Sequence, residues 1–209
     1  MTTRRSFLHG AFGLLLAGFV AAALPASAQT PAAGAAEFVE KLGDRAIETL
    51  ADTATGVEAR KQVFRTLLNE NFDVQTIGRF VLGPYWRTAT PEQQAEYMDL
   101  FQRMIVEVYT ERFNEYAGEQ FKVIGAQPAG SRDAVVTSQV IRPAGAPVNV
   151  AWRVRGKDDD FKIVDVIVEN VSMSQTQRSE FASLIEGNGG RFEALLDALR
   201  KRVQTAGRG

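Results

Sequence analysis

The side chains that ordinarily carry catalysis are almost absent from this chain. In 209 residues there is one histidine and no cysteine. The histidine, His9, closes the basic stretch Thr3-Arg4-Arg5-Ser6-Phe7-Leu8-His9. That stretch is followed by the apolar run Ala11–Leu24 and the small-residue triplet Ala26-Ser27-Ala28. This order reads as a secretory signal peptide over residues 1–28, cleaved after Ala28. The apolar run is shorter than the roughly 20 residues that a bilayer span needs. The mature chain is then expected to hold neither histidine nor cysteine. Ser-His-Asp and Cys-His sites cannot be assembled without them, and zinc, copper and haem sites lose their usual ligands. No Ser-x-x-Lys, Gly-x-Ser-x-Gly or Walker loop occurs either.

What remains is carboxylate and guanidinium chemistry. Two convergent carboxylates would suffice for a hydrolase. The acidic groups, however, fall where solvated faces are expected: Asp158-Asp159-Asp160 in a turn, Glu111 and Glu115 on a helix exterior. Asp165 is different, because it interrupts an otherwise apolar strand. It reads as a buried carboxylate paired with Arg178 or Arg153, with a catalytic base as the alternative. Arg79, Arg87, Arg112, Arg153 and Arg155 are candidates for a partner-docking surface, or are ordinary solvated charge. Gly187-Asn188-Gly189-Gly190 precedes a helical segment but follows a helix, so it reads as a helix-breaking loop rather than a phosphate cradle.

The chain carries 24 basic and 25 acidic side chains. Arg4 and Arg5 lie in the leader, so the mature chain has three more acids than bases. A nucleic-acid binder usually shows the opposite balance. The paired arginines before Ser-Phe-Leu resemble a twin-arginine export signal, and a general secretory signal has a similar outline.

The elements that position these groups follow from periodicity. Residues 29–36 read as a small-residue linker, 37–202 as one domain, and 203–209 as a frayed tail. Phe38, Leu42, Ala46 and Leu50 mark a first helix, and Val57 to Asn69 a second. Asn71 or Asp73 caps a short third helix that Gly83-Pro84 ends. Thr90-Pro91-Glu92-Gln93 forms a capping box opening a long helix. Its stripe is Tyr97, Leu100, Phe101, Met104, Ile105, Val108, Tyr109 and Phe113, and Gly118 stops it. The period then changes to two, predicting four strands: Gln120–Gly125, Asp133–Arg142, Val148–Arg155 and a central Phe161–Val168. Short connections imply an antiparallel meander. Ser174–Gln177 can form another capping box before a helix carrying Phe181, Leu184 and Ile185. Phe192, Leu195, Leu196 and Leu199 form the last helix. The expected fold class is α+β: a four-stranded antiparallel twisted sheet covered by several helices.

Three blocks carry a family resemblance. The first is Glu70-Asn71-Phe72-Asp73 with Ile77-Gly78-Arg79-Phe80-Val81-Leu82-Gly83-Pro84-Tyr85-Trp86-Arg87-Thr88-Ala89-Thr90-Pro91-Glu92-Gln93. The second is Tyr109 with Arg112-Phe113 and Tyr116-Ala117-Gly118. The third is Asp165-Val166-Ile167-Val168-Glu169-Asn170-Val171-Ser172 with Arg178-Ser179-Glu180-Phe181. Together they resemble the MlaC (toluene-tolerance) family of periplasmic phospholipid-binding proteins. Asn170 stands where that family commonly has glycine, and Gln177 where it often has an aromatic residue. The resemblance implies a periplasmic carrier, with no enzymatic activity, cofactor, metal or nucleic-acid partner, acting as a monomer. It would move phospholipid between an outer-membrane lipoprotein complex and an inner-membrane ABC transporter complex with its lipid-binding partner domain. A hopanoid or another apolar ligand is the alternative cargo.

A carrier requires an apolar cavity, since each buried methylene is worth about 0.8 kcal/mol. The expected cavity walls are the helix stripe (Tyr97, Phe101, Met104, Ile105, Val108, Tyr109) and the dry strand face (Val150, Trp152, Val154). The expected headgroup or partner rim is Arg79, Arg87, Arg112 and Arg153. Phe80 and Trp86 read as packing anchors.

Overall fold

The computed structural model describes residues 31–51, 56–110, 118–157 and 160–206. The leader, Glu111, Arg112, Phe113, Glu115 and the Asp158-Asp159 pair lie outside these residues. In chain order the elements are α1 (Pro31–Ala51), α2 (Val57–Asn71), α3 (Val74–Leu82), a 3-10 turn (Gly83–Arg87) and α4 (Pro91–Thr110). Strands β1 (Gln120–Ala129), β2 (Asp133–Ile141), β3 (Val148–Lys157), β4 (Asp160–Val168) and β5 (Val171–Ser172) follow, then α5 (Met173–Gly187) and α6 (Phe192–Ala206). The architecture is α+β, as the periodicity predicts. The strands form one antiparallel meander in the order β1-β2-β3-β4-β5. None of the described helices is long and apolar enough to cross a membrane.

Several expectations are corrected. The sheet has five strands, because Val171 and Ser172 fold back on Val168 and Ile167. The tight return needs positive φ at two successive residues, Glu169 (47°) and Asn170 (66°); asparagine tolerates that region better than most side chains. Strand β4 is therefore not central, since only this two-residue strand covers its outer edge beyond a single bridge from Phe72 to Ile163. Strand β1 runs four residues further than expected, through Pro128. Proline is tolerated there because β1 is an edge strand. Helix α5 starts at Met173, capped by the Ser172 hydroxyl, which accepts from the Gln175 amide at 3.1 Å. Ser174 is instead buried.

Residues 31–36 are not a linker but the opening turns of α1. Their small side chains serve close packing. Ala32 and Ala35 are buried, and a Cβ on Gly34 would stand 2.8 Å from the Phe161 ring. Gly43, further along, lies equally tight on Phe121. Helix α1 thus lies flat on one end of the sheet. At the other terminus α6 continues through Val203, which is buried, so the tail begins later than expected.

Two apolar clusters result. One joins α1 and Leu67 of α2 to the sheet through Val39, Leu42, Ala134, Val136, Val154 and Ile163. The other is helical. It gathers Val81, Leu82, Tyr97, Leu100, Phe101, Met104, Phe181, Ile185, Leu195, Leu196, Leu199 and Val203 from α3–α6. Tyr97 is its centre. Its ring stacks on Phe101 at 5.6 Å and meets Phe181 edge-on at 6.3 Å, and its hydroxyl donates to the Gly78 carbonyl at 3.0 Å. The capping box that starts α4 is formed as expected: Gln93 N–H donates to Thr90 Oγ1 at 3.3 Å, and Thr90 N–H to Gln93 Oε1 at 3.1 Å.

Candidate functional site: an apolar cavity between two cores

Between the clusters the side chains do not meet. A cavity of about 320 Å³ opens there, at the lower end of the range for small-molecule sites. Its walls come from six elements. Helix α2 supplies Phe64 and Leu68, followed by Phe72, and α3 supplies Val74, Ile77 and Val81. Helix α4 supplies Phe101, Met104, Ile105, Val108 and Tyr109. The sheet supplies Trp152, Val166 and Asp165, and α5 and α6 supply Met173, Ser174, Gln177 and Arg202.

The structure places six of the nine expected wall residues along this cavity: Phe101, Met104, Ile105, Val108, Tyr109 and Trp152. The other three are elsewhere. Tyr97 is fully buried in the helical cluster, because α5 and α6 close over it. Val154 follows a bulge in the β3–β4 pairing and packs beneath α1. Val150 is buried one row further along the same sheet face, beside Ser138. Between them Trp152 leans across that face. Its indole N–H donates to Ser138 Oγ at 2.9 Å, and Ser138 donates in turn to the Val150 carbonyl at 3.1 Å. The indole is thereby held as a rigid wall with its one polar atom satisfied.

Asp165 lies in the wall, but its expected arginine partners are absent. The carboxylate accepts from Val166 N–H (2.9 Å), Ser172 Oγ (2.7 Å), Ser174 Oγ (2.5 Å) and Ser174 N–H (3.2 Å). Four donors hold both carboxylate oxygens in place. It is also the only carboxylate among the described lining residues, so the second member of a hydrolytic pair is missing from this wall. Its role is to tie the start of α5 to β4. Arg153, one expected partner, binds Asp133 instead at 2.7 Å. Arg155 grips the same carboxylate at 2.8 and 3.2 Å. The Arg155 hydrogen bond, with Arg153 beside it, holds the Asp133 carboxyl below the usual range despite desolvation.

The expected rim is also rearranged. Arg79 and Arg87 lie on the opposite side of α3 from the cavity, in a second, shallower pocket with Arg178. Arg153 is engaged with Asp133, and Arg112 is outside the described residues. Phe80 is not a packing anchor: it is 42% exposed in that second pocket. Trp86 is half-buried and packs edge-on against Tyr97 at 6.5 Å. The cation that does reach the cavity is Arg202, exposed near the end of α6. Sequence reading missed it because the helix seemed to end there. Tyr109 also lines the cavity and is exposed. Its ring approaches Phe64 across the gap between α4 and α2 at 6.3 Å. Beside them Lys61 and Glu107 join the two helices at 2.9 Å, and this hydrogen bond raises the Lys61 ammonium above its usual range.

The model of the MlaC protein family matches residues 40–201. The chain belongs to the MlaC family. Among curated relatives, the toluene tolerance protein ttg2D of Pseudomonas putida is 26% identical over 122 residues. That match spans 58% of this chain and 57% of the relative's own length. The intermembrane phospholipid transport system binding protein MlaC of Haemophilus influenzae is 18% identical over 160 residues, covering 73% of this chain and 75% of that protein. Among solved structures, a Ralstonia solanacearum phospholipid-binding protein in complex with a phospholipid superposes with a TM-score of 0.72 at 23% identity. It covers 83% of this chain and 98% of its own. At that identity the likeness establishes a shared fold.

Proposed function

We propose that this MlaC-family chain is a phospholipid carrier, and the observation that carries the reading is the cavity. Fourteen of its eighteen lining residues are apolar or aromatic. The polar exceptions are satisfied internally, as Asp165 and Ser174 are, or sit toward the opening, as Arg202 does. Such a space shelters acyl chains and offers them nothing reactive. Methylene burial at about 0.8 kcal/mol each supplies affinity without any specific contact. The phosphate headgroup stays at the mouth, where Arg202 can pair with it and where its charge is not stripped of water. The likeness to the Haemophilus phospholipid transport binding protein and to the Ralstonia phospholipid-binding protein supports the choice of phospholipid.

The leader supports delivery to the periplasm. There the carrier would take lipid from, or give it to, an outer-membrane lipoprotein complex and an inner-membrane ABC transporter complex. The test is mass spectrometry of the protein purified from a Gram-negative host, under native conditions and after organic extraction. Diacyl phospholipid at about one per chain is expected. An empty cavity overturns the reading, and a triterpenoid in place of phospholipid moves it to a hopanoid carrier.

A further inference from the structure

The second pocket has chemistry unlike the first. It is an open depression of about 400 Å³ on the outer side of α3, the 3-10 turn and α5. Three guanidiniums line it: Arg79, Arg87 and Arg178. Two lie over aromatic rings, Arg79 over Trp86 and Arg178 over Phe80, each with its guanidinium carbon 5.0 Å from the ring centroid. Arg178 also donates to the Phe80 carbonyl at 3.4 Å. Gly83 makes room for it. With φ +60° and ψ −130° the backbone there is open to glycine almost alone, and a Cβ would stand 3.1 Å from the Arg178 guanidinium. None of the three arginines forms an ion pair among the described residues. Of the acids nearest in sequence, Asp73 accepts from the Thr76 amide at 2.9 Å as the cap of α3, Glu180 accepts from Gln177 at 2.8 Å, and Glu92 stands in the first turn of α4; none is within ion-pair distance of these arginines. In a chain with an acidic balance this is a local reversal of sign.

We infer that this pocket is a docking site for an acidic segment of another protein, one presenting two carboxylates around an apolar side chain. Stacked guanidiniums are already ordered, so little rotamer entropy is lost when carboxylates bind them in their fork geometry. The exposed Phe80 ring between them supplies the apolar contact, and arginine beside aromatic residues is the usual composition of an interface hot spot. A lipid headgroup whose tails fill the cavity does not reach this pocket, because α3 stands between: Val74, Ile77 and Val81 face the cavity, while Arg79, Phe80 and Gly83 face away. A flat anionic membrane is a poorer fit, since surface attraction to lipid is built from clusters of four to eight basic residues and this is a concave site of three.

The inference does not depend on what the cavity carries, and the experiment separates the two. The probe is a fluorescein-labelled peptide of alternating glutamate and leucine, with a glutamine–leucine peptide as control, titrated at low and physiological salt. The two tryptophans report location through their indole N–H resonances. The expected result is binding that weakens with salt, a shifted Trp86 indole and an unmoved Trp152 indole. Arg79→Gln with Arg178→Gln should lower affinity at least tenfold. Arg178→Lys, which keeps charge but loses the fork and the stack, should lower it severalfold. Arg103→Gln, on the outside of α4, should have no effect. Melting curves and native mass spectra of the same samples check folding and cavity loading, both expected to be unchanged. Equal binding of the glutamine peptide, a shift at Trp152 instead of Trp86, or an equal loss in Arg103→Gln overturns the proposal. So does Arg79- and Arg178-dependent binding to phosphatidylglycerol vesicles in preference to the peptide, which would make the occupant a membrane.

Discussion

Helix α4 carries two tyrosines on one apolar stripe. Tyr97 is fully buried, with Phe101, Phe181, Phe192 and Trp86 around its ring. Tyr109, three turns on, is 43% exposed, and among the described residues its ring meets Phe64. The two ends have the same residue types at the same spacing. What differs is the supply from the rest of the chain. At the Tyr97 end α5 and α6 return five large side chains: Phe181, Phe192, Leu195, Leu196 and Leu199. Toward the Tyr109 end, α2, β3 and β4 stand back and leave 320 Å³ unfilled. One helix thus belongs half to a core and half to the wall of a cavity. The comparison teaches that an amphipathic stripe states that something apolar will cover it, without stating whether that cover is protein.

Substitutions at the two ends should therefore fail in different ways. The largest effect is expected at the closed end. Tyr97→Ala removes a ring from a filled core and leaves the Gly78 carbonyl without its donor. A loss of about 3–5 kcal/mol follows, or a drop in melting temperature on the order of 10 °C, read by calorimetry. Lipid should be lost only from the unfolded fraction. At the open end, Val108→Trp adds bulk to a space that has room for it. Native mass spectrometry should show lipid occupancy reduced at least tenfold, equivalent to about 1.4 kcal/mol of binding, while the melting temperature of the lipid-free protein moves by less than about 2 °C. Similar melting losses in both variants would erase the distinction, since the open end would then be core as well.

The parts that were legible in the sequence are those set by local rules. The 3.6-to-2 change of period after Gly118, the Thr90–Gln93 capping box and the shared face of Trp152 and Val154 are all statements about neighbours in the chain. The misread parts were set at a distance. Pro31–Ala36 has the composition of a linker, but small residues also let a helix approach a sheet, and only the position of Phe161 and Phe121 decides which. Tyr97 and Val154 were expected in the cavity because nothing local shows that α5, α6 and α1 close over them. Asp165 reads in sequence as a buried carboxylate paired with Arg178 or Arg153; it is half-buried instead, and its side-chain partners are two serines seven and nine residues on, brought back by the Glu169-Asn170 reversal. Arg202 was passed over because helix ends are the least certain part of any pattern.

A smaller effect sharpens the comparison from the sheet side. Asp133 holds Arg153 and Arg155 at the start of β2, and none of the three lines the cavity. Asp133→Asn should cost about 1 kcal/mol at neutral pH, because the two arginine partners are themselves substantially exposed. The cost should depend on pH in one direction. A carboxyl whose folded value is depressed adds stability above its unfolded value, near 3.9. That share is lost as pH falls through the lower folded value. Wild type and variant should therefore converge in acid, measured by urea unfolding between about pH 2 and 7, with lipid occupancy at neutral pH equal in both. A gap that widened in acid would mean that Asp133 is not the depressed group.

The smallest expected stability change belongs to Tyr109→Ala. The ring is half in water, and an exposed aromatic pair of this kind is worth about 0.5 kcal/mol, so melting should scarcely move. The rate of lipid exchange should move more. Phe64 and Tyr109 approach each other at 6.3 Å where α2 and α4 flank the cavity, and an acyl chain leaving between these helices would pass them. Removing one ring widens the passage without disturbing the Lys61–Glu107 link that holds the helices together. Transfer of a fluorescent phospholipid to acceptor vesicles, followed by stopped flow, should be severalfold faster in Tyr109→Ala. Lys61→Met, which cuts the link but keeps the rings, should lower the melting temperature more and leave the opening guarded. If the two variants speed transfer equally, the helices separate as a whole and the rings are not the barrier. If Tyr109→Ala leaves the rate unchanged, lipid leaves by another route, and the open end of α4 is a wall of the cavity but not its door.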